Sequence, residues 1–140
     1  MSARGALLGC ALAASLLGCA PQGDCPPLLE AIAPRLARIK ETQPTTPDPP
    51  SPADLRATSA AYADLASAME HLEIGEGAAK VLAVQYKEIA VELAKGYEVL
   101  AKALEAEDEE KLKVAKATLG REGTKERQLF QKLGVLCAAR

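Results

Sequence analysis

Tryptophan is absent from this 140-residue chain, phenylalanine and histidine occur once each, and aromatic residues make up 3% of it. A core built from such a chain must be aliphatic, and platforms on which bases or sugars stack are nearly missing. Basic charge is not in excess either, with 17 Lys and Arg against 19 Asp and Glu. Neutralising a phosphate backbone needs a basic surface, so nucleic acid is not an expected partner. Long apolar runs are lacking too. The most apolar stretch, Gly5 to Gly18, has 14 residues, about 21 Å of helix against a hydrocarbon core of about 30 Å. It is too short for a permanent transmembrane helix.

The motifs of chemistry are also missing. His71 stands in AMEHLE, without the HExxH or Glu-x-x-His spacing that gathers metal ligands on one helix face. It is expected at the surface, near a helix end. There is no CxxCH haem attachment, and Met69 and His71 are two apart on one helix. They point about 200° apart and cannot ligate one iron. A single histidine makes no credible Ser-His-Asp set, and no glycine-rich loop is present to cradle phosphate. The acids from Glu105 to Glu110, broken only by Ala106, lack the DxDxDG framework of a calcium loop and read as a solvated helix start. No catalytic residue, cofactor or metal site is expected, and the chain does not read as an enzyme.

What is present begins with an address. MSARGALLGCALAASLLGC holds one charge, Arg4, ahead of its apolar run, and nothing ionisable follows until Asp24. That is the layout of a secretory signal. Leu16-Leu17-Gly18-Cys19 then resembles the lipobox of bacterial lipoproteins. The resemblance implies cleavage after Gly18, so that residues 1–18 are a signal peptide, and lipidation of Cys19. Several acyl chains anchor far more firmly than one, each buried methylene adding about 0.8 kcal/mol. Residues 19–24 become a lipidated tether. Ala20, in place of the aspartate that holds many such proteins at the inner membrane, resembles the outer-membrane case.

With Cys10 in the signal and Cys19 lipidated, Cys25 and Cys137 remain as an even pair in an oxidising compartment. They either bridge to one another or stay as thiols for redox or metal work. Neither CxxC spacing nor a neighbouring histidine supports the second reading.

Residues 25–140 read as one helical domain with a Pro-rich loop over 44–52. In CPPLLEAIAPRLARIKETQ, apolar residues recur every three or four positions, including Leu28, Leu29, Ile32 and Ile39. Pro34 predicts a kink or a weak first half. Ser51 caps a second helix with Pro52 at its first position. Its buried stripe runs from Leu55 through Ser59, Tyr62, Leu65 and Met69 to Leu72, and Gly75 suits a left-handed cap at its end. A third helix, from about Glu76 to Ala106, carries Leu82, Tyr86, Leu93, Tyr97 and Leu100, with Val81, Val84 and Val91 widening the arc. A turn near Glu107, with Asp108 as cap, opens a fourth. That helix runs through Leu119, Leu129 and Leu133 to Cys137, with Gly120 and Gly123 loosening or breaking it midway.

Four such helices make an all-α, antiparallel, up-down-up-down bundle. That path sets the start of the first helix beside the end of the fourth, so it places Cys25 next to Cys137. The lipobox, early cysteine, late cysteine and the turn Ala103-Leu104-Glu105-Ala106-Glu107-Asp108 together resemble small helical lipoproteins of myxobacteria and their relatives. In those the turn reads ALEAGD, with glycine where Glu107 stands here. The resemblance implies architecture and address, and no activity.

The expected function is therefore a non-catalytic interaction or structural module of the cell envelope, lipid-anchored at the periplasmic face of the outer membrane. A second protein of the envelope is an expected partner. Val84 and Val91, near Lys80, Lys87 and Lys95, are candidates for its binding strip, although burial within the bundle competes for both. A carrier of a small apolar ligand, held between helices kinked at Pro34 and Gly120, is the alternative.

Overall fold

In the computed structural model, residues 23–43 and 49–138 are described. The signal segment, Cys10 and Cys19 lie outside that range, as does the proline-rich loop over 44–48. The described residues form four helices and no strand: α1 (Cys25–Thr42), α2 (Pro52–Glu70), α3 (Ala78–Glu105) and α4 (Glu109–Leu136). Each runs antiparallel to the one before it. Arg35 meets Asp64 at 3.3 Å, Arg56 meets Glu105 at 2.6 Å, and an added side chain on Gly96 would touch Leu119.

The helix boundaries follow local chemistry. The Ser51 Oγ accepts from the Asp54 N–H at 3.1 Å while the Asp54 carboxylate accepts from the Ser51 N–H at 3.1 Å. This reciprocal capping box starts α2, with Pro52 at its first position. Between α3 and α4 the chain turns within three residues. The Asp108 N–H donates to the Ala103 carbonyl and the Glu107 N–H to the Leu104 carbonyl, the paired bonds of a Schellman motif. Glu107 carries the left-handed backbone of that motif, at φ +52°. Asp108 then caps α4 by accepting from the Lys111 N–H at 3.0 Å. Glutamate here takes the left-handed backbone that glycine ordinarily supplies, and bears the strain.

Three local expectations fail. Gly75 does not cap α2 in left-handed form: α2 ends at Glu70 with His71 as its C-cap, and Gly77 takes the positive φ of +151° ahead of α3. Neither the weak first half of α1 nor the break in α4 is found. α1 continues through Pro34, with Leu28 and Ile32 buried on its first half. α4 continues through Gly120 and Gly123, because about 1 kcal/mol per glycine is less than packing by Leu119, Leu129 and Leu133 supplies. Finally, Leu29, Val81 and Val84 are exposed, while Leu72 packs on the core from beyond the end of α2.

Packing is uneven. α2 and α3 form the most extensive pair, α3 and α4 the next, and α1 rests mainly on α2, its backbone standing apart from that of α4. Alanines explain the close half: Ala79, Ala83, Ala90, Ala101 and Ala103 of α3 are all buried. Small side chains let helix axes approach, and Ser59 of α2 reaches the Ala94 carbonyl of α3 at 2.8 Å. The main core joins all four helices. A smaller one, Leu55, Leu100, Ala101 and Ala115, fills the far end without α1.

Candidate functional site

The chemistry-bearing cluster of the bundle lies where its sequence seems to have a gap. Apolar core residues of α4 stop at Leu119 and resume at Leu129. Counting in steps of three and four across the interval lands on Glu122 and Glu126, so two glutamates occupy core positions. Sequence reasoning took the interval as a weak point of the helix and missed both. The signal was the phase of the helix rather than the residue type.

Glu126 faces the three tyrosines of the chain. Tyr86 of α3 donates to its Oε1 at 3.0 Å, and Tyr62 of α2 donates to its Oε2 at 3.1 Å. The ring of Tyr97 stacks on that of Tyr62 with centroids 5.7 Å apart, while Tyr86 meets Phe130 edge-on at 5.6 Å. Tyr62 and Tyr86 are buried, as their stripes predicted. Burial pushes the Glu126 carboxyl above the usual carboxylate range, against the opposing effect of the two phenols and of Arg127. Burial first, and the Glu126 charge second, push the Tyr62 and Tyr86 hydroxyls far up, so both keep their protons and remain donors. Each carboxylate oxygen thus has a permanent partner. The arrangement can hold a proton and fix the rotation of α4 against α2 and α3, with one phenol donor on each oxygen.

Glu122, one turn earlier, is buried yet behaves oppositely. It accepts from Lys125 Nζ at 2.9 Å and Arg121 Nε at 3.2 Å. Both cations are exposed, so its cover is thin. Lys125 first, with Arg121 adding to it, holds the carboxyl below the usual range against the opposing effect of desolvation. It borders a cleft of about 420 Å³ between α3 and α4, where Glu88 and Glu92 alternate with Lys125 and Lys132. Among the described residues no three His, Cys, Asp or Glu side chains are placed to hold a metal ion.

The residues singled out in the sequence fall as follows. The Cys25 and Cys137 sulfurs stand 2.04 Å apart with Cα atoms at 5.6 Å, closing the α1 start onto the α4 end. His71 is exposed, its Nδ1 2.8 Å from the Ser67 carbonyl. The acids around Glu107 serve the turn, with Asp108 as cap and Glu105 paired to Arg56. Val84 is exposed and Val91 is half-buried beside Ala63, Ala66 and Ala94, with Lys87 and Lys95 alongside it. Gly120 faces open space. An apolar cleft of about 270 Å³ does lie between α1 and α4, lined by Leu29, Ile32, Leu36, Phe130 and Leu133, and it opens to solvent beside the disulfide. Compared with known proteins, the chain matches no protein-family model, no curated protein and no solved structure.

Proposed function

We propose that this protein is a lipid-anchored, non-catalytic helical module of the cell envelope, attached through Cys19 at the outer membrane. The observation that carries the reading is the order of the cysteines. A lipobox cysteine stands six positions before Cys25, whose sulfur lies at bonding distance from that of Cys137. A structural disulfide persists in oxidising compartments, the side of the inner membrane on which a lipidated Cys19 emerges. No helix among the described residues is long and apolar enough to cross a membrane, so attachment falls to the lipid. The half-buried carboxylate of Glu126 has both oxygens engaged by tyrosines, which favours a structural role for the polar cluster.

Intact mass of the membrane-extracted protein, before and after reduction and alkylation, tests this. The expected species begins at Cys19, carries acyl chains, and takes up alkylating agent at two cysteines only after reduction. An unlipidated chain retaining Met1, with free thiols, defeats the reading.

The cleft between α1 and α4 favours a second reading, a carrier of an aliphatic ligand. Its size and apolar lining suit a short acyl chain. Titration of the reconstituted protein with a fluorescent fatty acid is expected to saturate at one site and to be weakened by Phe130→Glu. Identical binding by that variant eliminates the cleft.

A further inference from the structure

The end of the bundle that carries the disulfide has a surface unlike the rest. The last turn of α4 and the residues after it read Leu133-Gly134-Val135-Leu136-Cys137-Ala138, six positions without a charge or a polar side chain. Only Leu133 is buried, and Val135 is 81% exposed. On one side of this turn, Leu29 of α1, itself exposed, borders the apolar cleft with Leu133 and Cys137. On the other side, Val81 of α3, 55% exposed, borders a shallower cleft with Leu136 and the stem of Lys132. Three neighbouring helices thus present large apolar side chains to solvent at the same end. A consecutive apolar run at a surface is a defect unless something covers it.

We infer that this end of the bundle seats directly on the bilayer, with Leu29, Val81 and Val135 entering the headgroup boundary as a second, protein-borne attachment beside the acyl chains of Cys19. The inference rests on the lipid-anchor reading. The tether supplies the geometry. Cys19 and Cys25 are six residues apart, at most about 20 Å of fully extended chain. α3 alone, with 28 residues, is about 42 Å long. A lipidated Cys19 therefore holds the Cys25 end at the membrane and leaves the Glu107 turn far from it.

The two ends differ in the continuity of their apolar surface. Val99 and Val114 are also exposed toward the far end, but each stands singly among charged side chains, where Glu98, Glu105 and Asp108 pair with Arg56, Lys102 and Lys111. At the disulfide end, acids (Asp24, Glu30, Glu73, Glu76) are mixed with Lys80 and Lys132. The contact is accordingly apolar in origin and insensitive to salt. A lipid anchor joined to an apolar contact is the two-signal arrangement that gives stable attachment.

The absence of tryptophan from the chain provides the test. Single tryptophans are placed by Val135→Trp, Val81→Trp and, as the far-end control, Val114→Trp. Each lipidated full-length protein is reconstituted into vesicles of dibrominated phosphatidylcholine and phosphatidylglycerol. Lipidation is checked by mass and attachment by flotation. The expected result is that Val135→Trp and Val81→Trp lose most of their emission to bromine and shift to the blue, at low and high salt alike. Val114→Trp keeps its emission. If lipidated, floating protein leaves the tryptophans at 81 and 135 as bright as the one at 114, the membrane seat is wrong while the anchor stands. Equal quenching at all three sites also overturns it, because the bundle then lies on its side. Protein that lacks the acyl mass and does not float overturns the anchor itself.

Discussion

Two parts of this bundle are held together by different physics. α2, α3 and α4 meet through buried alanines, the Tyr62–Glu126–Tyr86 node and a continuous apolar core. α1 rests on α2 and stands apart from α4, to which a disulfide joins it at one end. The second, third and fourth helices form the two most extensive pairs. By contrast, α1 adds Leu28, Ile32 and Ile39 to the same core over a smaller contact with α2 and is closed onto α4 by the disulfide. A bundle of low aromatic content can thus be firm in one half and stapled in the other.

The sharpest way to break this comparison is to remove the staple. The double variant Cys25→Ser with Cys137→Ser is expected to lose about 2–5 kcal/mol of stability. Hydrogen exchange should show the loss first in α1, with α2 and α3 still protected. Uniform loss of protection across all four helices would mean that α1 is as integral as the others.

Next in size is the node. Tyr86→Phe leaves Glu126 Oε1 without its donor, at a cost of about 1–3 kcal/mol measured by urea unfolding. Unchanged stability would mean that water replaces the phenol without loss, and that the node does not hold α4.

Glu107→Gly is expected to stabilise the protein by about 1 kcal/mol, since glycine takes the left-handed backbone at φ +52° without the steric cost that glutamate bears. A rise in thermal midpoint checks it. The same change in the Cys25→Ser, Cys137→Ser background should give the same increment, because the turn lies at the end remote from the disulfide.

The smallest effect is a pH dependence. The folded-state pKa of Glu126 is raised by burial, so the folded protein holds that proton more tightly than the unfolded chain. Its contribution is complete below the ordinary glutamate range and declines as pH rises through the folded-state value. Asp54, Glu70, Glu105, Asp108 and Glu122 have lowered pKa values and act in the opposite sense, losing their contribution as pH falls. The difference between wild type and Glu126→Gln isolates the single group. Wild type should lose stability relative to the variant as pH rises from about 4, and parallel curves would place Glu126 in contact with water.

Much of this was legible in the residues themselves. Ser51, Pro52 and Asp54 begin α2 wherever the chain is placed, because a capping box needs only four consecutive residues. Asp108 begins α4 with a single local cap, accepting from the Lys111 N–H three residues on. The pairing of Cys25 with Cys137 followed from counting four antiparallel helices. Other features were not legible, and each depends on a neighbour distant in sequence. Leu29 matches the apolar period of α1 as well as Leu28 does, yet one is exposed and the other buried, because α4 leaves a cleft on that side. Val84 fits the stripe of α3 but has no helix opposite it.

The sequence alone determined the helices, their order and the end at which the cysteines meet, since propensity, caps and short connections act locally. Only the tertiary structure decided what two glutamates in the core phase of α4 would do. Tyr62 and Tyr86 met one of them across two helix interfaces, so Glu126 became a half-buried acceptor. Glu122, more buried than Glu126, found Lys125 and Arg121 within its own helix and kept its charge. The same side chain on the same stripe takes opposite pKa shifts, because burial and charge are set by what other segments bring within about 3 Å.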